Sequence, residues 1–261
     1  MTVGELANNA PLFFLIFARV FALLQTAPLL SSEAIPAIGK VSLAFLVSMG
    51  IFPSVAAAGY PIPSYLLQYV LLLLGEALIG VLVGFFLSMI YSGFQLAGQY
   101  YAFQMGFGAS EVFDPLAEIE IPIMGQFLNL IAMLMFLLVA GFQKIFRIGV
   151  YQSYKAFRAI DLVMQKDHIF PFLFQGMSRL FQQSLVISFP ILGALFLVSI
   201  TLGLFAKAAP QMNLLMMGFP ISIGVAFLIL FVSLPFLAEL FSAIIDYSFQ
   251  EVQRIWASPI R

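Results

Sequence analysis

The chain has 261 residues, 62% of them hydrophobic and only 9% charged, against about 45–50% and about 25% in a typical soluble domain. With 11 basic and 12 acidic residues its net charge is −1, and its mean hydropathy is +1.07. So few charges cannot cover a water-facing globule of this size, and no positive field awaits a polyanion, so a soluble enzyme and a nucleic-acid binder are both excluded. Cysteine is absent and His168 is the single histidine. Disulfides, thiolate metal sites and a histidine cluster are therefore ruled out, and no cofactor is expected. What remains is an all-α polytopic membrane protein.

The N-terminal stretch MTVGELANN has no positive region and carries Glu5, so no cleavable signal peptide is expected. Apolar segments are predicted at about 10–30, 41–58, 65–101, 121–142, 183–206 and 214–245. A bilayer core of roughly 30 Å needs about 20 helical residues. The third and sixth segments exceed one span and should be tilted, broken or partly out of lipid. The apolar runs are unbroken and do not alternate, which disfavours a β-barrel. Short breaks are read at 31–40, 52–63, 101–120, 143–179 and 207–213.

Arg19 and Glu76 fall inside apolar segments. Charges there are costly and face a partner or a wet cavity. Either they line a pathway or gate, or they make buried polar contacts that fix packing; whether they meet is not legible. Gly80, Gly84, Ser88 and Ser92 recur every four residues, a slowly winding ridge of small side chains suited to close helix packing. In the stretch YAFQMGFGASEVFDPLAEIE, Gly106 and Gly108 weaken helix and Asp114-Pro115 marks a turn. Met105, Phe107 and Phe113 sit there as large apolar groups beside Glu111, Asp114, Glu118 and Glu120. This is an acidic extramembrane connector or a re-entrant loop buried in protein. Lys144, Arg147, Tyr151, Lys155 and Arg158 step by three and four, one polar stripe facing water or lipid headgroups. No phosphate loop, HExxH or GxSxG string is present, and no catalytic residue is assigned.

Four strings, taken in order and spacing, resemble the FliR family of flagellar export-gate proteins and its type III secretion counterparts of the SctT kind. They are Arg19-Val20 with Ala27-Pro28-Leu29, Ala34-Ile35-Pro36 and Lys40; Gly75-Glu76 with Ile79-Gly80 and Gly84-Phe85; Gly98 with 103–106 and Asp114-Pro115; and 209–213 followed by Gly218-Phe219-Pro220-Ile221. The resemblance implies a structural subunit of an export channel, built with FliP-like and FliQ-like membrane subunits and joined by an FlhB-like subunit. It implies long, broken helical hairpins in a helical assembly at the bacterial inner membrane, within the flagellar basal body. Residues 1–179 would be the FliP-like part and 180–261 a FliQ-like hairpin. Unfolded flagellar proteins would pass through the channel, and lipid would be a further partner. The family carries a plug after its third apolar region. The role is carried to 106–120, with Met105, Gly106, Phe107, Gly108, Phe113, Asp114 and Pro115 as its residues and Phe107 and Phe113 as apolar stoppers. Lys207, Pro210, Gln211 and Asn213 would form a cytoplasmic turn that touches a partner.

Basic residues give a different orientation. Lys144, Arg147, Lys155, Arg158, Lys166, Arg179, Arg254 and Arg261 fall on one side of a six-span arrangement, with only Lys40 and Lys207 on the other. By the positive-inside rule both termini would be cytoplasmic and the 207–213 turn would not. The resemblance is preferred here, because packing against partners can override charge counts. A small-molecule or ion secondary transporter is the competing reading, suited by Arg19, Glu76 and broken segments; no internal repeat supports it. The corresponding subunit of a virulence secretion system is the other alternative.

Overall fold

The computed structural model describes residues 9–106, 123–156, 158–159, 166–211 and 213–257, and every element among them is helical. In chain order these are α1 (Ala10–Thr26), α2 (Ala37–Ala57), α3 (Leu66–Met105), α4 (Ile123–Leu138), α5 (Gly141–Ala156), α6 (Lys166–Ala208) and α7 (Leu214–Ala257). Within α5, Ile145–Gln152 is wound as a π-helix. Among the described residues four helices, α2, α3, α6 and α7, are long and apolar enough to cross a membrane. Counted as one span, the bent pair α4–α5 would make a fifth, while α1, with 17 residues, falls below a full span.

Local chemistry sets several of these limits. Pro11 occupies the first turn of α1, where its missing N–H costs nothing. The helix ends where Ala27 turns extended, the conformation forced on a residue that precedes proline, here Pro28. Leu29 then takes a positive φ of 66°, and α2 begins directly after Pro36. Ala140 adopts a left-handed conformation between α4 and α5, which ends the first helix and starts the second.

For the third and sixth apolar segments, expected to be tilted, broken or partly out of lipid, the structure shows continuous helix: α3 runs 40 residues and α7 runs 44, with Pro220 and Pro235 accommodated inside. At 1.5 Å per residue these are rods of about 60 Å and about 66 Å, twice the hydrocarbon thickness. The break lies instead at Ala140. The region 143–179, read as a break, holds α5 and the start of α6.

The chain folds into two compact units. One comprises Met1–Ile90, Ala140–Met177 and Ile245–Arg261. In it α1 is the central helix, buried through Leu12, Phe13, Leu15, Ile16, Arg19, Val20, Leu23 and Leu24. The stripe Lys40, Ala44, Ser48, Phe52 and Val55 of α2 is buried, and Phe13 of α1 meets Phe45 of α2 edge-on at 5.2 Å.

The other unit comprises Tyr91–Val139 and Ser178–Ile244. Here the second part of α3 meets α4 through Tyr91, whose hydroxyl donates to the Asn129 carbonyl at 3.1 Å. It meets α7 through Phe94, 4.4 Å from Phe241. Only 22% of the most apolar window of α6 and 17% of that of α7 is buried within the chain. Phe181, Phe189, Phe196, Leu204 and Phe231 are among the large side chains left uncovered. Faces this apolar require lipid or other apolar protein around them.

Candidate functional site

Five segments of the first unit converge on one ion pair. Arg19 of α1 donates through Nε to Glu76 Oε2 of α3 at 2.6 Å, and neither side chain has any exposed surface. The Arg19 Nη1 donates to Ser153 Oγ at 2.9 Å, and Ser153 in turn donates to the Val150 carbonyl at 2.7 Å. The guanidinium carbon sits 3.7 Å from the centre of the Tyr154 ring, a desolvated cation–π contact. Tyr154 itself donates to the Leu15 carbonyl, one turn before Arg19, at 3.3 Å.

On the acidic side, Glu76 Oε1 accepts from the Tyr60 hydroxyl and from the Ala159 N–H at 3.3 Å. Tyr60 lies on the connector before α3 and packs edge-on against Tyr154. Burial first, then the charge and hydrogen bond of Glu76, raise the Tyr60 pKa well above its ordinary value. The phenol therefore remains a donor. Charge and hydrogen bonds are balanced inside the cluster, as a buried pair requires. It can do no obvious chemistry; it clamps α1, α3, α5 and two connectors together.

The small-residue ridge lies beside this clamp. A Cβ on Gly80 would come within 2.2 Å of the Arg19 carbonyl oxygen. One on Gly84 would come within 2.1 Å of Thr26 Oγ1 and 2.9 Å of the Ala27 nitrogen. Ser88 donates to the Thr26 carbonyl. Three of the four ridge members thus line the seam between α3 and α1, and Ser92 is exposed. In the second unit Gly98 forms a similar seam, with a Cβ position 2.5 Å from the Gly125 backbone of α4.

Of the plug residues, Met105 is fully buried. Gly106 has a φ of 97°, and a Cβ there would strike the Phe219 ring of α7. Phe107, Gly108, Phe113, Asp114 and Pro115 lie outside the described residues. At the other end of the hairpin Lys207, Pro210, Gln211 and Asn213 are all exposed. Asn213 caps α7, accepting from the Met216 N–H through Oδ1 at 3.3 Å. Of the cations in the 144–158 stripe, Lys144 pairs with Asp246 of α7, Lys155 lies over the Tyr151 ring, and Arg147, Lys155 and Arg158, the last beyond the end of α5, are exposed.

Sequence reasoning missed Tyr60, Ser153, Tyr154 and the Ala159 N–H. Nothing in their local sequence marks them, since each is recruited by tertiary placement. Gly125 was likewise unmarked, although Gly98 stood in one of the resembling strings.

The signature of the family described as "Bacterial export proteins, family 1" matches residues 10–248. The chain is 30% identical over 235 residues to "Flagellar biosynthetic protein FliR" of Bacillus subtilis, covering 88% of each chain. It is 32% identical over 235 residues to the protein of that name in Borreliella burgdorferi, covering 89% of this chain and 86% of the relative. It is 28% identical over 214 residues to "Surface presentation of antigens protein SpaR" of Salmonella typhimurium, covering 82% and 79%.

Proposed function

The chain belongs to family 1 of the bacterial export proteins, and from that premise we propose that it is a structural channel subunit of the flagellar protein export gate. The observation that carries this reading is the match along residues 10–248 to an export family. The two FliR relatives described cover more of both chains than SpaR does, which favours the flagellar machine over a virulence system. The long, sparsely covered faces of α6 and α7 suit a subunit completed by neighbours better than a transporter that works alone.

In this reading FliP-like and FliQ-like subunits surround the chain in the inner membrane at the flagellar basal body, and an FlhB-like subunit joins them. Residues 1–179 take a FliP-like place and 180–261 form a FliQ-like hairpin. Residues 106–120 close the resting channel, with Phe107 and Phe113 excluding water from the constriction. Unfolded flagellar proteins are the cargo.

Affinity purification tests the assembly. One copy of this chain is expected with several copies of smaller all-helical membrane proteins. Recovery of the chain alone, together with solute transport after reconstitution, would establish the transporter reading instead. Removal of 107–113 tests the plug: ion leakage should rise in cells with the whole complex assembled, and unchanged leakage would reject it.

A further inference from the structure

Glu239 is the first charged residue of α7, and nothing in the chain answers it. Its side chain is exposed and enters neither an ion pair nor a hydrogen bond among the described residues. Asp246, two turns further along the same helix, is by contrast paired with Lys144.

This carboxylate belongs to a regular stripe. Within the uncovered face of α7, Met217, Leu228 and Glu239 stand eleven residues apart, and Ile221, Val232 and Ala243 repeat the interval. All six are exposed, and so are Gly224 and Pro235, which fill the third place of the repeat. An eleven-residue interval is about 3.67 residues per turn, so a helix that follows the stripe coils right-handed. A Cβ on Gly224 would meet nothing within 4 Å. Glycine weakens a helix interior relative to alanine, and within this chain Gly224 gains no contact in return. What glycine on an apolar helix provides is room for a second backbone. Lipid needs no such room.

We propose that this stripe of α7 seats one long apolar helix of a neighbouring membrane subunit, and that this helix carries a lysine or arginine opposite Glu239. The inference rests on the reading of the chain as one subunit of an assembly. It adds the face that a neighbour takes and the charge that the neighbour brings. Docking removes the carboxylate from water between Phe236 and Ala243, and a carboxylate enclosed by apolar groups without a cation is strongly disfavoured. The paired charge also fixes register, because apolar contacts alone would let the helices slide. Backbone approach is closest at Gly224. At 1.5 Å per residue the cation therefore lies about 22 Å along the helix from that point.

Ala243→Cys on this cysteine-free chain offers a photoreactive maleimide one turn beyond Glu239. In cells with the whole complex it should crosslink to one helix of another subunit. Mass spectrometry should find a lysine or arginine in an apolar run, within about one turn of the linked residue. Products joined only to lipid, or to a helix without that cation, overturn the proposal. Glu239→Arg should lower the yield of assembled complex severalfold, relative to the amount of chain in the membrane. Exchanging the partner's cation for glutamate should restore it. Gly224→Leu, which has room within the chain, should lower the yield as well. Unchanged yield in either variant, or a loss at Glu239→Arg that the exchanged charge does not restore, overturns the seat. Recovery of the unaltered chain alone would reject the assembly and the seat together. Full assembly of Glu239→Arg rejects the seat and leaves the assembly standing.

Discussion

A guanidinium with no exposed surface persists only when its charge and its donors are answered within the fold. Arg19 meets both demands through Glu76, Ser153 and Tyr154. Replacing Arg19 or Glu76 alone by methionine leaves the other charge buried and unpaired, at about 3–5 kcal/mol. Replacing both removes the charges together, so the loss should be well below the sum of the two singles. Thermal unfolding of the purified complex, with assembly yield as a second readout, checks this. Additive losses would mean that each residue contributes independently and that the pair is not a unit. Tyr60→Phe removes one of the donors to Glu76 and should cost less, about 1–3 kcal/mol. The sequence marked Arg19 and Glu76 because charge inside an apolar run is expensive wherever it lands. It could not mark Tyr60, Ser153 or the Ala159 N–H, because a hydroxyl or a backbone group carries no such cost until the fold removes it from water.

Between elements, backbone approach decides what the helices can tolerate. The seam of α3 against α1 places the Arg19 carbonyl 2.2 Å from where a Gly80 methyl would sit. A backbone atom cannot swing aside as a side chain can, so Gly80→Ala must push the helices apart. That motion also carries Arg19 away from Glu76, coupling the seam to the ion pair. The expected loss is therefore larger than the about 1–3 kcal/mol of ordinary overpacking. Gly50, on the exposed face of α2, has nothing within 4 Å, so Gly50→Ala should not destabilise the chain. Equal effects at the two positions in thermal unfolding would show that helix propensity, not the seam, governs both. The four-residue spacing made this ridge visible in the sequence, and the apolar runs located every long helix. The π-helical turns of α5 were not visible, because their spacing of polar residues fits an ordinary helix as well. Nor was the uninterrupted course of α3 and α7, since an apolar run longer than one span fits a tilted, a broken or a protruding helix equally well.

On the scale of the whole molecule, the two compact units interleave distant stretches of sequence, and no change of composition marks where the long helices pass from one unit to the other. Orientation in the membrane is the remaining global property, and two arguments oppose each other. The basic residues gather away from the 207–213 turn, which by charge alone would place that turn outside the cytoplasm. The proposed function would place it at the cytoplasmic mouth. Charge counting presumes that apolar helices are surrounded by lipid; α6 and α7 leave long apolar faces uncovered within the chain, and packing of such faces against other protein, as the proposed function has it, would outweigh a few short-loop charges. The turn is suited to a partner: Gln211 and Pro210 are exposed, Asn213 is held as the cap of α7, and the exposed amide of Gln211 offers both donor and acceptor. Gln211→Cys on this cysteine-free background should react with a membrane-impermeant thiol reagent only when it is supplied from the cytoplasm. Crosslinking from the same position should capture an FlhB-like or FliQ-like neighbour. Labelling from the periplasm alone would reverse the orientation and restore the one that the charges favour.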